Sequence, residues 1–174
     1  GLAGDKPVIG DFDNDGVDDI GVVREEAVGV VNALVWYIDT GHDYGVAELI
    51  FPYGLAGDKP VIGDFDNDGV DDIGVVREEA VGVVNALVWY IDTGHDYGAA
   101  EFIFPYGLAG DKPVIGDFDN DGVDDIGVVR EEAIGVVNAL VWYIDTGDDY
   151  GVAELIFPYG LAGDKPVIGD FDGK

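Results

Sequence analysis

The sequence predicts an all-β protein built from three successive four-stranded antiparallel sheets, with a partial fourth unit at the end. Three observations lead there. GLAGDKPVIGDFD begins at Gly1, Gly54, Gly107 and Gly160, so the chain is a tandem array with a period of 53 residues. Each period holds four short runs rich in β-branched and aromatic residues, separated by clusters of Gly, Asp, Asn and Pro. Most of these runs are apolar at successive rather than alternating positions, which calls for burial on both faces. Sheets stacked face to face meet that demand, as the blades of a propeller do, and a single-layer solenoid with one wet face meets it less well. The Gly and Pro spacing excludes a helical bundle.

The elements of the first period follow in order. Pro7-Val8-Ile9-Gly10-Asp11-Phe12 reads as a strand with Pro at its tolerated first position. Asp13-Asn14-Asp15-Gly16 is a turn. Ile20-Gly21-Val22-Val23-Arg24 is the second strand. Glu25 to Asn32 is open between a helical turn at Glu25-Glu26-Ala27 and an extended hairpin path through Val28-Gly29-Val30-Val31. Ala33-Leu34-Val35-Trp36-Tyr37-Ile38 is the clearest strand, and Thr40 to Gly45 is a turn. Glu48-Leu49-Ile50-Phe51 is the fourth strand, closed by Pro52-Tyr53-Gly54. The predicted units are residues 1–53, 54–106, 107–159 and a stub, 160–174, that repeats only the first strand and is expected to close a neighbouring sheet. Because the stub stops inside its own motif, the chain is expected to be cut from a longer array. The three full copies differ only at Val28/Val81/Ile134, His42/His95/Asp148, Val46/Ala99/Val152 and Leu49/Phe102/Leu155. Such near-identity fits recent duplication or a designed consensus repeat, and any site must occur three times.

Composition narrows the function. Of 174 residues, 37 are Asp or Glu and 8 are Lys or Arg, giving a formal charge of -29. That excludes a phosphate-binding surface for nucleic acid and disfavours an anionic membrane face. No apolar run reaches membrane-span length. There is no Cys and there are only two His, which excludes disulfides, Cys-ligated zinc and His-rich metal sites. An apolar fraction of 48% separates the chain from a disordered acidic tail.

The strongest chemical signal is Asp11-Phe12-Asp13-Asn14-Asp15-Gly16-Val17-Asp18-Asp19. Carboxylates at loop positions one, three, five and nine converge when the chain coils tightly, and Gly at position six permits the turn. Asp11, Asp13, Asp15 and Asp19, with the Val17 carbonyl, are therefore candidate ligands for a hard cation. Asp64, Asp66, Asp68, Asp72 and Val70 repeat the set, as do Asp117, Asp119, Asp121, Asp125 and Val123. About three Ca²⁺ sites are expected, since Ca²⁺ accepts six to eight oxygens while Mg²⁺ prefers a smaller octahedral shell. The helical calcium loop needs a Glu at position twelve, and Val22 stands there. The competing reading is an Asp-rich turn held by its own side-chain to backbone bonds. The stub keeps only Asp170 and Asp172, so its site is expected to be weak or absent.

Other residues read as structural. His42 and His95 give way to Asp148 and are expected in an exposed turn. Glu25 and Glu26 are expected to be solvated rather than an acid/base pair. Arg24 is expected to pair with a carboxylate or cap a strand edge. Trp36, Tyr37, Phe51 and Tyr53 are expected in the core, and Tyr44 as an exposed contact residue. No phosphate loop or nucleophile elbow occurs, so no enzyme is expected.

The segment from Asp11 to Ile20, followed by an apolar strand, resembles the FG-GAP/VCBS repeats of integrin α-subunit propellers and of many bacterial and archaeal surface proteins. Val35 to Thr40 and Tyr53 to Pro60 resemble the bacterial branch, although Tyr53-Gly54 stands where Phe-Gly is usual. The resemblance implies four-stranded blades with Ca²⁺ in the loop between the first two strands. It implies extracellular or cell-surface adhesion or ligand binding, to protein or glycan, rather than catalysis. Some lectins look similar, which makes a carbohydrate-binding module the alternative. Three blades are too few for an ordinary ring, so self-association through blade faces is expected.

Overall fold

The computed structural model describes residues 1–147 and 149–169. Twelve strands form three antiparallel sheets of four, and no helix occurs among the described residues. The first sheet comprises β1 (Lys6–Gly10), β2 (Asp19–Val28), β3 (Val31–Asp39) and β4 (Leu49–Leu55) in the order β1-β2-β3-β4. The second has the order β5-β6-β7-β8, from β5 (Lys59–Gly63), β6 (Asp72–Val81), β7 (Val84–Asp92) and β8 (Phe102–Leu108). The third repeats it with β9 (Lys112–Gly116), β10 (Asp125–Ile134), β11 (Val137–Asp145) and β12 (Leu155–Leu161). Every sheet is an open meander with two edges.

The open question at Glu25 to Asn32 resolves as a hairpin. β2 runs on through Val28, paired to Val31, and Gly29-Val30 forms the two-residue loop. Gly29 has φ 64°, as the first central residue of a type II′ turn requires. The Glu pair could not start a helix because Glu25 and Glu26 are already laddered to Leu34 and Ala33.

Two expectations need correction. The fourth strand does not close at Pro52 but continues through Tyr53 and Gly54 to Leu55. β4 is an edge strand, where a missing N–H is tolerated, and the register shift between Ala33 and Val35 absorbs the extra residues. The stub is not a closing strand: the described residues after Leu161 form no strand. Each first strand pairs with the second strand of its own repeat, as in Lys6↔Val23 and Lys59↔Val76.

The described residues divide into two compact units. One holds Gly1–Arg77 and Trp89–Ile103, the other Glu78–Val88 and the chain from Phe104 on. In the first, Val8, Phe12, Val23, Leu34, Trp36, Ile38, Phe51 and Tyr53 share a core with Ile73 and Val75 of β6. Successive buried residues along β3, from Ala33 to Trp36, show the two-sided burial that the sequence pattern demands. Trp36 is fully buried, donates its indole N–H to the Tyr53 carbonyl at 2.9 Å and stacks on Phe51. In the second unit, Val114, Val129, Leu140, Trp142 and Ile144 form the core, and Trp142 donates to the Tyr159 carbonyl at 2.9 Å.

Arg24 pairs with Asp5 through Nε and Nη2, both at 2.8 Å, and lies over the Tyr37 ring at 4.8 Å. Arg130 and Asp111 repeat the fork. The two glutamates are not simply solvated. Glu26 accepts from Arg24 and the Tyr37 hydroxyl, and Glu25 accepts from the Gly57 N–H.

Trp36→Ala is expected to cost about 3–5 kcal/mol in urea unfolding, as a large buried side chain lost to a cavity does. Trp36→Phe keeps most of the volume but leaves the Tyr53 carbonyl without its donor, at about 1–3 kcal/mol. Equal stability of wild type and Trp36→Phe would refute the role given to the indole N–H.

Candidate metal centre

The β1–β2 loop is wound by its own carboxylates. Asp11 accepts from the N–H groups of Asp15 (3.1 Å) and Gly16 (2.9 Å), Asp13 from Asp15 (3.2 Å), and Asp15 from Val17 (2.9 Å). Asn14 and Gly16 take φ 58° and 84°, the left-handed conformations that Asn and Gly adopt most readily. The coil turns the side chains inward. One oxygen each from Asp11, Asp13 and Asp15 lies within 4.8 Å of the others. In the second copy the group is Asp64, Asp66 and Asp72, and in the third Asp117, Asp119 and Asp125. Asp68 and Asp121 occupy the same loop position as Asp15, donating through N–H to Asp64 and Asp117 and accepting from Val70 and Val123. The carboxylates that tie the turn, with both Asp11 oxygens taken up by the Asp15 and Gly16 N–H groups, are the same ones that lie close together in the loop. Asp170 and Asp172 lie outside the described residues.

Asp19, the first residue of β2, is fully buried. Its Oδ2 accepts from the Phe12 N–H at 3.0 Å, while Oδ1 has no hydrogen-bond partner. Asp72 is placed the same way, with Oδ2 on the Phe65 N–H at 2.9 Å and Oδ1 unpartnered. Burial raises the Asp19 carboxyl, with Asp13 and Asp15 adding to it. Burial, with the charges of Asp66, Asp64 and Asp68, pushes Asp72 up to about 8. A buried, unpartnered carboxylate oxygen beside three more carboxylates fits a hard cation, whose charge would remove both penalties.

The two histidines are not in a merely exposed turn. His42 Nε2 lies 3.0 Å from Asp19 Oδ1 and Nδ1 lies 3.8 Å from Asp15 Oδ2. His95 contacts Asp72 and Asp68 at 3.0 and 3.9 Å. The close approach misses hydrogen-bond alignment, so the imidazole sits against the loop without satisfying Asp19. The meander explains the meeting. The β1–β2 and β3–β4 connections leave the same end of an antiparallel sheet, and one carries the aspartates while the other carries His42. Asp148, which replaces the histidine in the third copy, lies outside the described residues.

Loops of the first and second repeats touch directly. The Asp11 N–H donates to Asp71 Oδ2 at 2.7 Å, and the Asp71 N–H donates to the Asp11 carbonyl at 2.8 Å. Sequence reasoning passed over the eighth loop position, which Asp71 holds, and over Asp39, Asp43 and Glu48 in the β3–β4 loop. Their recurrence at a fixed spacing beside Gly41 and Gly45 was the available signal. Comparison with known proteins supplies no identity: no protein-family model and no curated protein matches the chain.

With divalent ions chelated, stability is expected to fall as pH rises from about 4 to about 8. In that window the folded form retains the Asp72 proton, the unfolded chain has released its own, and deprotonating the buried group disfavours the fold. Asp72→Asn keeps the shape and removes the charge, so its chelated stability should vary less over the same range. An identical pH profile for the two proteins would show that Asp72 is not the group responsible.

Proposed function

We propose that the chain is a calcium-stabilised structural and adhesion repeat module of a secreted or cell-surface protein, its three sheets acting as propeller-type blades. The observation that carries the reading is the threefold convergence of Asp carboxylates in the β1–β2 loop, set beside a buried β2 carboxylate with an unpartnered oxygen in the first two repeats. Asp11, Asp13, Asp15 and Asp19, with the Val17 carbonyl, would hold Ca²⁺, as would the sets around Asp64 and Asp117. Bound Ca²⁺ supplies positive charge and oxygen coordination; the loop supplies the turn and places the first strand against the second. The absence of a nucleophile elbow or phosphate loop from the sequence supports a non-enzymatic role.

Extracellular calcium modules bind with dissociation constants near ~10⁻⁴–10⁻³ M. At ten times that constant each site adds about 1.4 kcal/mol, and three sites about 4 kcal/mol. Such sites fill where calcium is millimolar, which supports the extracellular setting.

Association with like repeats completes this reading. Within the first unit, Phe51 stacks on Tyr97 with ring centroids 4.0 Å apart, and within the second, Phe104 stacks on Tyr150 at 4.2 Å. Pro52 and Tyr53 border a cleft of about 220 Å³ with Val75, Arg77 and Tyr90. The matching residues Val22, Arg24 and Tyr37, with Tyr44, line an open cleft of about 290 Å³. Tyr44 is 77% exposed, although its counterparts Tyr97 and Tyr150 are stacked. On β12, Phe157 and Tyr159 are exposed, although Phe51 and Tyr53 are buried. The occupant of the open cleft is a second copy of this chain, presenting Pro158-Tyr159-Gly160 as Pro52-Tyr53-Gly54 are presented within it. A glycan platform at Tyr44 is less well supported, because the same tyrosine serves packing in the other two repeats.

Two measurements test the reading. Moving from chelator to millimolar calcium should raise the melting temperature by roughly 10 °C, the shift expected of about 4 kcal/mol in a chain of this size. A melting temperature indifferent to calcium would overturn the staple. In sedimentation equilibrium the mass should rise with concentration, and Tyr159→Asp, at an exposed position, should remain a folded monomer. A wild-type chain that stays monomeric at the highest soluble concentration would overturn the association.

A further inference from the structure

A second acidic constellation lies outside the loop just described. Asp39 ends β3, Asp43 lies in the β3–β4 loop and Glu48 stands just before β4. One oxygen of each lies within 4.8 Å of the others, and Asp145, Asp149 and Glu154 repeat the arrangement. Backbone N–H groups fix the outer two. Asp43 accepts from Gly45 at 2.8 Å and Glu48 from Gly41 at 3.1 Å; Asp149 accepts from Gly151 at 2.9 Å and Glu154 from Thr146 at 3.1 Å.

Clustered acids alone prove nothing, but here the innermost carboxylate is buried and incompletely satisfied in every copy. Asp39, Asp92 and Asp145 are 8%, 0% and 1% exposed. Asp39 Oδ1, Asp92 Oδ2 and Asp145 Oδ2 have no hydrogen-bond partner. An anionic oxygen withdrawn from water and left without a donor is costly unless a positive charge meets it. In the second copy Asp92 is likewise buried with an unpartnered oxygen, and Asp96 and Glu101 stand at the matching positions of its loop.

From this geometry we infer a second hard-cation site in each repeat, formed by Asp39, Asp43 and Glu48 and by their counterparts around Asp92 and Asp145. The ligand class is a divalent ion of the calcium type, because every donor is oxygen and no nitrogen or sulfur ligand belongs to the trio. In the second copy the buried Tyr53 hydroxyl, contributed by the preceding repeat and itself without a hydrogen-bond partner, feels the Asp92 and Glu101 charges. The site is independent of the β1–β2 loop and stands or falls separately from it.

Equilibrium dialysis of the full chain against radioactive calcium, with two triple variants, separates the readings. Wild type should bind two ions per repeat. Asp43→Asn/Asp96→Asn/Asp149→Asn should bind one, and Asp13→Asn/Asp66→Asn/Asp119→Asn should also bind one. One ion per repeat in wild type, abolished only by the second triple variant, overturns this inference and leaves the first loop's role intact. One ion abolished only by the first triple variant supports this inference and overturns the β1–β2 staple. No binding overturns both. Should a variant fail to fold, wild-type crystals soaked in terbium decide the point. An anomalous peak among Asp39, Asp43 and Glu48 is expected, and ordered carboxylates there without a peak would overturn the site.

Discussion

Carboxylates packed against carboxylates are the constraint on which this structure turns. A formal charge of -29 on 174 residues is not spread evenly over the surface. In each repeat the β1–β2 and β3–β4 connections bring acids together at one end of the sheet, and a buried Asp sits at the root of both. Asp39 of β3 lies opposite Ile20, the residue after Asp19 on β2, so the two acid groups flank the same stretch of backbone. The other end of the sheet is the Gly29-Val30 hairpin, with exposed Val30 and no acid in the turn. Strand pairing supplies the frame, but the frame forces like charges into low dielectric, and something positive must meet them. A proton can do so, in line with the upward push that burial and the neighbouring aspartates give the Asp72 carboxyl. So can the His42 imidazole, or a cation.

Near-identical repeats turn the molecule into its own control. One residue type, at one place in the repeat, has different surroundings according to whether a neighbouring repeat covers it. Tyr53 is buried and Tyr159 is 74% exposed; Tyr97 is stacked on Phe51 and Tyr44 is exposed. The chemistry of the side chain is constant, so the difference measures the neighbour. A repeat of this kind cannot bury its apolar face alone, and most of its packing energy comes from stacking. The backbone is consistent with that view. Tyr44, Tyr97 and Tyr150 all adopt left-handed φ between 54° and 58°, a conformation unfavourable for an aromatic residue. In the second and third copies a ring stack accompanies it.

Much of this was legible in the sequence, for physical reasons. The 53-residue period, the β-branched runs and the Asp/Gly turns fixed the strand count and the β1–β2 loop, because local geometry decides those features. Two-sided burial of β3 was legible from its unbroken apolar run. The path from Glu25 to Val31 was not: its Glu pair and its Val-Gly-Val run pull in different directions until the register with β3 settles the matter. Pro52 looked like a terminator because position within a sheet, edge or centre, is a tertiary property. His42 was misplaced for a related reason. Its replacement by Asp148 suggested indifference, yet what brings His42 to Asp19 is the meander, which carries two loops far apart in sequence to one end of the sheet. The β3–β4 acids went unread because Asp39 falls at the end of a strand pattern and Glu48 at the start of the next, so no contiguous motif contains them.

If the acid groups hold a cation as proposed, proton and cation compete for the same buried oxygens, and that competition links the fold to its medium. A carboxyl that keeps its proton contributes no repulsion and cannot coordinate; one that loses it must be met by an ion. Raising pH in the absence of calcium therefore strips the first kind of neutralisation without supplying the second. On the proposed reading, millimolar calcium would reverse the balance, each ion cancelling two charges where several carboxylates already face one another. Neutralisation by ions has a further property that protons lack: coordination fixes direction as well as charge. An ion between Asp11 and Asp19 would pin the turn to the strand that follows it. With only 8 basic side chains in the chain, and with Arg24 and Arg130 committed to Asp5 and Asp111, the protein has few cations of its own to place there. On the proposed reading, the positive charge that completes these loops is drawn from solution.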